Sequence, residues 1–154
     1  MTTPPSHDQA RPDRWRDEAD IRGLAFSYAK AFDDNLGDLL AAIFIPDGVI
    51  EAPNGRFAGR EALRGAPAIV ARRYLKTFHA VLNQTADIAG DRAAATTYCI
   101  ARHLLAAGDG GFICREMTLR YDDSFVRTPG GWLFARRRLL LDWTHDYPVE
   151  LPTP

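Results

Sequence analysis

The chain has 154 residues, enough for one domain with a buried core, and its 46% apolar and 25% charged residues are ordinary for a globular domain. Nineteen Lys and Arg against twenty Asp and Glu leave a formal net charge of -1, so composition gives no reason to expect nucleic acid or an anionic membrane as partner. The longest apolar run, residues 39–45, is far too short to span a bilayer, and the two cysteines, Cys99 and Cys114, lack disulfide-framework or metal-ligand spacing.

The N-terminus, MTTPPSHDQARPDR, has no apolar core of the kind a secretory signal needs. A reduced, cytoplasmic protein is the expectation. Residues 1–12 read as a polar, proline-rich tail, 13–147 as a single domain and 148–154 as a second short tail. The first helix is expected to start near Asp17 as N-cap. Within it Ile21, Leu24, Ala25, Tyr28 and Phe32 share one face of a 3.6-residue period. It ends on Asp33 and Asp34, where the helix dipole disfavours an anion and should push a carboxyl pKa upward. Either aspartate is a candidate base; Asp33 could equally be a turn former beside Asn35.

A short helix capped by Asp38 follows over 39–44, then short strands at 49–52 and 56–58. Another helical stretch, 60–76, contains Pro67 and could be kinked or split there. From residue 77 the period switches to two. Four long strands are expected at 77–89, 92–107, 112–126 and 132–143, joined by glycine-containing hairpin connections. Helices first and an antiparallel meander last define an α+β fold, with helices packed on one face of a curved sheet.

Alternation puts Phe78, Ala80, Leu82, Ala86 and Ile88 on one face of the first long strand, and His79, Val81, Asn83 and Thr85 on the other. On the next strand Ala95, Thr97, Cys99, Ala101 and His103 share a face. Small side chains beside two histidines imply a hollow, which the first helix would close, bringing Asp33 toward His79. Each histidine could instead be a hydrogen-bonded structural residue. Of Arg136, Arg137 and Arg138, alternation turns one inward. Asp142 could orient a histidine or only finish the sheet. No GxGxxG, P-loop, HExxH or nucleophile elbow is present.

The order of elements, with YAKAFD, KTFHAVLN and GGWLFARRRLLLDWT, resembles the SnoaL-like branch of the nuclear-transport-factor-2-like superfamily over residues 19–144. That resemblance implies a cone-shaped curved antiparallel sheet whose N-terminal helices close a deep pocket. It also implies similarity to a group of lyases that includes scytalone dehydratase, hexachlorocyclohexane dehydrochlorinase and bile-acid 7α-dehydratase. These use an Asp–His dyad, and Asp33 and His79 stand at the matching places. Tyr28 matches a tyrosine of the bile-acid enzyme, and His103 a second histidine of scytalone dehydratase. The paired tyrosines of scytalone dehydratase have no evident counterpart, since Phe32 and Ala52 stand near those places. The implied activity is a cofactor-independent dehydratase-type elimination on a small hydrophobic cyclic substrate, with no cofactor or metal needed. The pocket should be lined by Phe, Leu, Val and Trp side chains. Alternatives within the fold are an isomerase or cyclase, a ligand binder, or a subunit like the β subunit of ring dioxygenases. A homo-oligomer, dimer or trimer, is expected by the same resemblance.

Overall fold

The computed structural model describes residues 11–108 and 110–152, with side chains from Arg14 onward. The expected tail over 1–12 falls mostly outside these residues. Chain order is α1 (Arg11–Asp33), α2 (Gly37–Ala42), β1 (Phe44–Ala52), β2 (Gly55–Ala58), α3 (Arg60–Arg73), β3 (Lys76–Ala89), β4 (Arg92–Ala106), β5 (Phe112–Thr128) and β6 (Gly131–Val149). The strands form one curved, open sheet in the order β2-β1-β6-β5-β4-β3. The fold is α+β, as expected, with one correction to an all-antiparallel sheet. β1 runs parallel to β6, pairing Glu51 with Arg138 and Phe44 with Phe134. No tight hairpin joins these two strands, so turn geometry does not force them antiparallel.

α1 lays Ile21, Ala25, Tyr28 and Phe32 onto the inner sheet face, where they join Leu40, Phe44, Leu63, Leu119, Phe125 and Phe134 in one core. Three local expectations change. α1 begins six residues before Asp17, so Asp17 is a mid-helix residue and not an N-cap. Its buried carboxylate accepts two hydrogen bonds from Arg127 at 2.7 and 2.6 Å and one from Trp132 Nε1 at 2.9 Å, tying the start of α1 to the far end of the sheet. Asp38 lies in the first turn of α2 with no side-chain cap, and pairs with Arg64 of α3 at 2.7 Å. α2 and α3 approach so closely at Gly37 that any Cβ there would collide with the Arg64 carbonyl oxygen. α3 runs through Pro67 as one helix and stops at Arg73, three residues short of the expected end.

Replacing Asp17 with alanine strands the buried Trp132 N–H and leaves Arg127 with its longer pair to the exposed Asp91 at 3.3 Å. The expected cost is about 1.5–3 kcal/mol, seen as a lower urea midpoint with an unchanged slope.

A bulge between Val81 and Gln84 of β3 shifts the strand by one residue. Before it Thr77 and His79 face inward while Phe78 is 55% exposed; after it Ala86 and Ile88 pack on the core. Uninterrupted alternation had placed Ala86 and Ile88 opposite His79, and the bulge puts them on the same side. β4 has no such break, and Ala95, Thr97, Cys99, Ala101 and His103 are all buried, as expected.

Candidate active site

α1 ends at Asp33 because Asn35 takes a left-handed φ of 54° and Leu36 N–H donates back to the Ala31 carbonyl at 2.8 Å. That stop leaves Asp33 against the start of β3. There Thr77 and His79, two residues apart on one strand face, meet the carboxylate together. His79 Nδ1 lies 2.6 Å from Asp33 Oδ1, the His79 backbone N–H donates to Oδ2 at 2.9 Å, and the Thr77 hydroxyl donates to Oδ1 at 2.8 Å. The His79 side chain is 8% exposed and that of Asp33 22%.

These contacts reverse the electrostatic expectation for the helix end. Burial pulls the Asp33 pKa upward, but the ring, charge and backbone N–H of His79 and the Thr77 hydroxyl outweigh it, holding the carboxyl below its ordinary 3.8. The dipole of α1 is overcome by three donors aimed at one carboxylate. Asp34, the other half of the pair, is exposed and bonded to Lys30 at 2.5 Å. With Nδ1 engaged by Asp33, Nε2 is the ring nitrogen of His79 left for a molecule in the cavity beside it.

That cavity has a volume of about 110 Å³. Its polar walls are His79, His103, Tyr28 and Tyr121, and the rest is apolar, including Phe32, Ile50, Phe57, Val70, Met117 and Leu139. All four residues singled out from the sequence therefore belong to one site: Asp33 and His79 as a bonded pair, His103 and Tyr28 as cavity walls. No tryptophan lines it, contrary to expectation; Trp15 and Trp143 are exposed and Trp132 is held by Asp17. Asp142 does not orient a histidine but makes a two-point pair with Arg120 at 3.0 and 2.7 Å.

His103 stands edge-on to His79, ring centroids 5.7 Å apart, and packs on Tyr74 at 4.4 Å. Its Nδ1 is buried without a hydrogen-bond partner among the described residues. Burial, with the His79 charge as a smaller contribution, pushes its pKa down to about 4, so the ring is neutral at pH 7. The linkage sign follows. Between pH 6.5 and 4 the unfolded chain takes up the proton and the folded chain does not, so stability falls as pH falls across that window. At pH 4.5 the loss relative to pH 7 is about 2–3 kcal/mol. Denaturant titrations at both pH values should show this loss in the wild type and a much smaller one in His103→Gln; equal losses would contradict it. Asp33 acts lower, its contribution disappearing only as pH drops through its depressed pKa.

Thr77 and Tyr121 escaped the sequence reading. Thr77 could have been found as the i-2 neighbour of His79 on the same face. Tyr121 needed the register that sets it opposite Thr97 of β4 and Leu139 of β6. Tyr28 and Tyr121 meet edge to face at 5.5 Å, giving the cavity two tyrosines. Burial keeps both phenols protonated by pushing their pKa upward, against an opposing pull from Arg137. Arg137 is the inward member of the arginine run. It is fully buried, bonded twice to Asp123 at 2.8 and 2.7 Å, with its guanidinium carbon 4.3 Å from the Tyr28 ring centre and 4.0 Å from that of Tyr121.

A curved sheet closed by helices over a small cavity, with an aspartate at the end of the first helix reaching a strand histidine, defines the class. A family model described as a SnoaL-like domain matches residues 13–138, and the chain belongs to that family, within the nuclear-transport-factor-2-like superfamily. An uncharacterized protein of Mycobacterium tuberculosis is 31% identical over 123 residues, covering 79% of this chain and 82% of its own. Among solved structures, one from Novosphingobium aromaticivorans named as a candidate scytalone dehydratase is 26% identical, covers 93% of this chain and 95% of that one, and superposes with a TM-score of 0.77. The hexachlorocyclohexane dehydrochlorinase of Novosphingobium barchaimii superposes at 0.80 over 93% and 99% of the two chains, and at 18% identity shows likeness of fold alone.

Proposed function

We propose that the protein is a cofactor-independent lyase that eliminates water, or a comparable leaving group, from a small hydrophobic cyclic substrate. The family and its dehydratase-named neighbour support an enzyme that processes a small molecule. The observation that carries the finer reading is the 2.6 Å contact of His79 Nδ1 with Asp33 beside a mainly apolar cavity.

In this reading His79 Nε2 removes a proton from carbon next to an activating carbonyl. Asp33, ionised and fixed by Thr77 and the His79 backbone, holds the imidazole in the Nδ1–H tautomer and stabilises the imidazolium that forms. Negative charge develops on the carbonyl oxygen, and a hydroxyl of Tyr28 or the neutral ring of His103 donates a hydrogen bond to it. Expulsion of the leaving group restores neutrality, and the proton on His79 can leave with it as water. An isomerase would begin with the same abstraction and return the proton to another carbon.

The same reading includes a homo-oligomer. Phe78, Leu82, Tyr98 and Trp143 leave large apolar side chains exposed on four strand positions. Among the described residues no helix is long and apolar enough to cross a membrane.

The test is a screen of activated cyclic hydroxy ketones for water loss, followed as the absorbance of the new conjugated double bond. Turnover that disappears in Asp33→Asn supports the reading. A substrate turned over equally well by Asp33→Asn would contradict the dyad.

A further inference from the structure

Resting on that reading, we infer that the cavity admits a neutral substrate with a single ring, and that its wall of Phe57, Val70 and Leu139 excludes two fused rings. Two independent features of the site lead there. The first is size. Pockets that enclose drug-sized ligands run to about 300–1,000 Å³, and an apolar cavity of about 150 Å³ holds one benzene. At about 110 Å³ this cavity is smaller than that, so one six-membered ring needs slight outward movement of its walls and two fused rings need much more.

The second is charge. Among the described residues no Lys or Arg lines the cavity. The guanidinium of Arg137 is fully buried behind the tyrosine rings and already bonded to Asp123, and Arg115 is paired with Asp146. The carboxylate of Asp33 stands just behind His79, so an anionic ligand would meet a negative charge with no Lys or Arg among the cavity's lining side chains to pair with. The polar groups that do face the cavity, Tyr28, Tyr121 and the two histidines, suit one or two neutral oxygens: a carbonyl, a hydroxyl or both. The buried, unpartnered Nδ1 of His103 shows that the protein itself does not complete the hydrogen bonding of this ring.

Binding can be read without turnover from the imidazole signals of His79 and His103 in long-range proton–nitrogen NMR, the chain having four histidines. The probes are cyclohexanone and phenol as neutral single rings, 1-naphthol as two fused rings, and benzoate as a charged single ring. In an unrestricted apolar pocket naphthol would bind more tightly than phenol, because it buries more apolar surface. The expected order is the reverse: phenol and cyclohexanone shift both histidines, naphthol binds at least about tenfold more weakly than phenol, and benzoate shifts neither. Phe57→Ala, or Leu139→Ala should the first fail to fold, opens the wall and should bring naphthol to parity with phenol or beyond.

Naphthol binding the wild type as tightly as phenol, benzoate binding, or no probe moving either histidine would overturn the inference. So would continued exclusion of naphthol from a folded, opened variant. Selective single-ring binding by a protein that eliminates nothing supports the inference while the lyase reading fails, so the two are separable.

Discussion

His79→Ala should lower elimination by about 10²–10⁴-fold while leaving the fold intact, because among the described residues it removes the only ring nitrogen that both faces the cavity and is backed by a carboxylate. His103 is no substitute. Its Nδ1 has no partner, and a pKa near 4 makes it a poor proton acceptor. Asp33→Asn should fall in the same range for a different reason. The amide can present its NH₂ group to His79 Nδ1, which favours the wrong tautomer and removes the charge that stabilises the imidazolium. The His79 backbone N–H can still donate to the amide oxygen and the Thr77 hydroxyl can turn to accept from the NH₂ group, so the variant keeps most of its local structure. Double replacement should therefore cost little more than either change alone, since the two side chains act as one unit.

The largest expected stability effect lies behind the site. Asp123→Ala leaves the guanidinium of Arg137, itself fully buried, without its carboxylate. Breaking a buried pair from one side costs about 3–5 kcal/mol, which for a domain of this length lowers the melting temperature by about 10 °C. Thr97 loses its acceptor as well, at 3.3 Å, though its oxygen still accepts from Gln84 Nε2 at 2.9 Å. Removing both charges together, as Asp123→Leu with Arg137→Met, should recover much of the loss, because neither ion is then left unpaired. Calorimetry of the three variants checks this. A double variant no more stable than Asp123→Ala would mean that the pair stabilises the fold by more than its mutual satisfaction. Because Arg137 packs on Tyr28 and Tyr121, the double variant should also loosen the donor side of the cavity.

Much of this architecture was legible in the residues. The 3.6-residue period of α1, the later switch to period two and the glycine turns gave the element order, and β4 alternates without a break. The Asp33–His79 pair followed from where the helix stops and which strand face His79 takes. What remained hidden depends on contacts between distant segments. The bulge in β3 has no sequence mark that alternation alone can read, and it reverses the faces of Ala86 and Ile88. Asp17 looks like a cap because caps and buried anchors draw on the same residue type; only the positions of Arg127 and Trp132 separate them. The pKa of Asp33 was misjudged because a helix dipole is a local property. The Thr77 hydroxyl and the His79 backbone N–H come from 44 and 46 residues away. Parallel pairing of β1 with β6 is likewise a tertiary outcome.

The dyad is tested most directly by following a single-ring β-hydroxy ketone with the protein in D₂O by proton NMR. The ketone is one that the wild type turns over in the screen. The signals report both elimination and exchange of the acidic C–H. Wild type should convert it to the conjugated ketone, whereas His79→Gln and Asp33→Asn, at the same concentration and folded by circular dichroism, should form product and exchange at least about a hundredfold more slowly. Elimination or exchange by His79→Gln at the wild-type rate would contradict the proposal that His79, backed by Asp33, takes the proton.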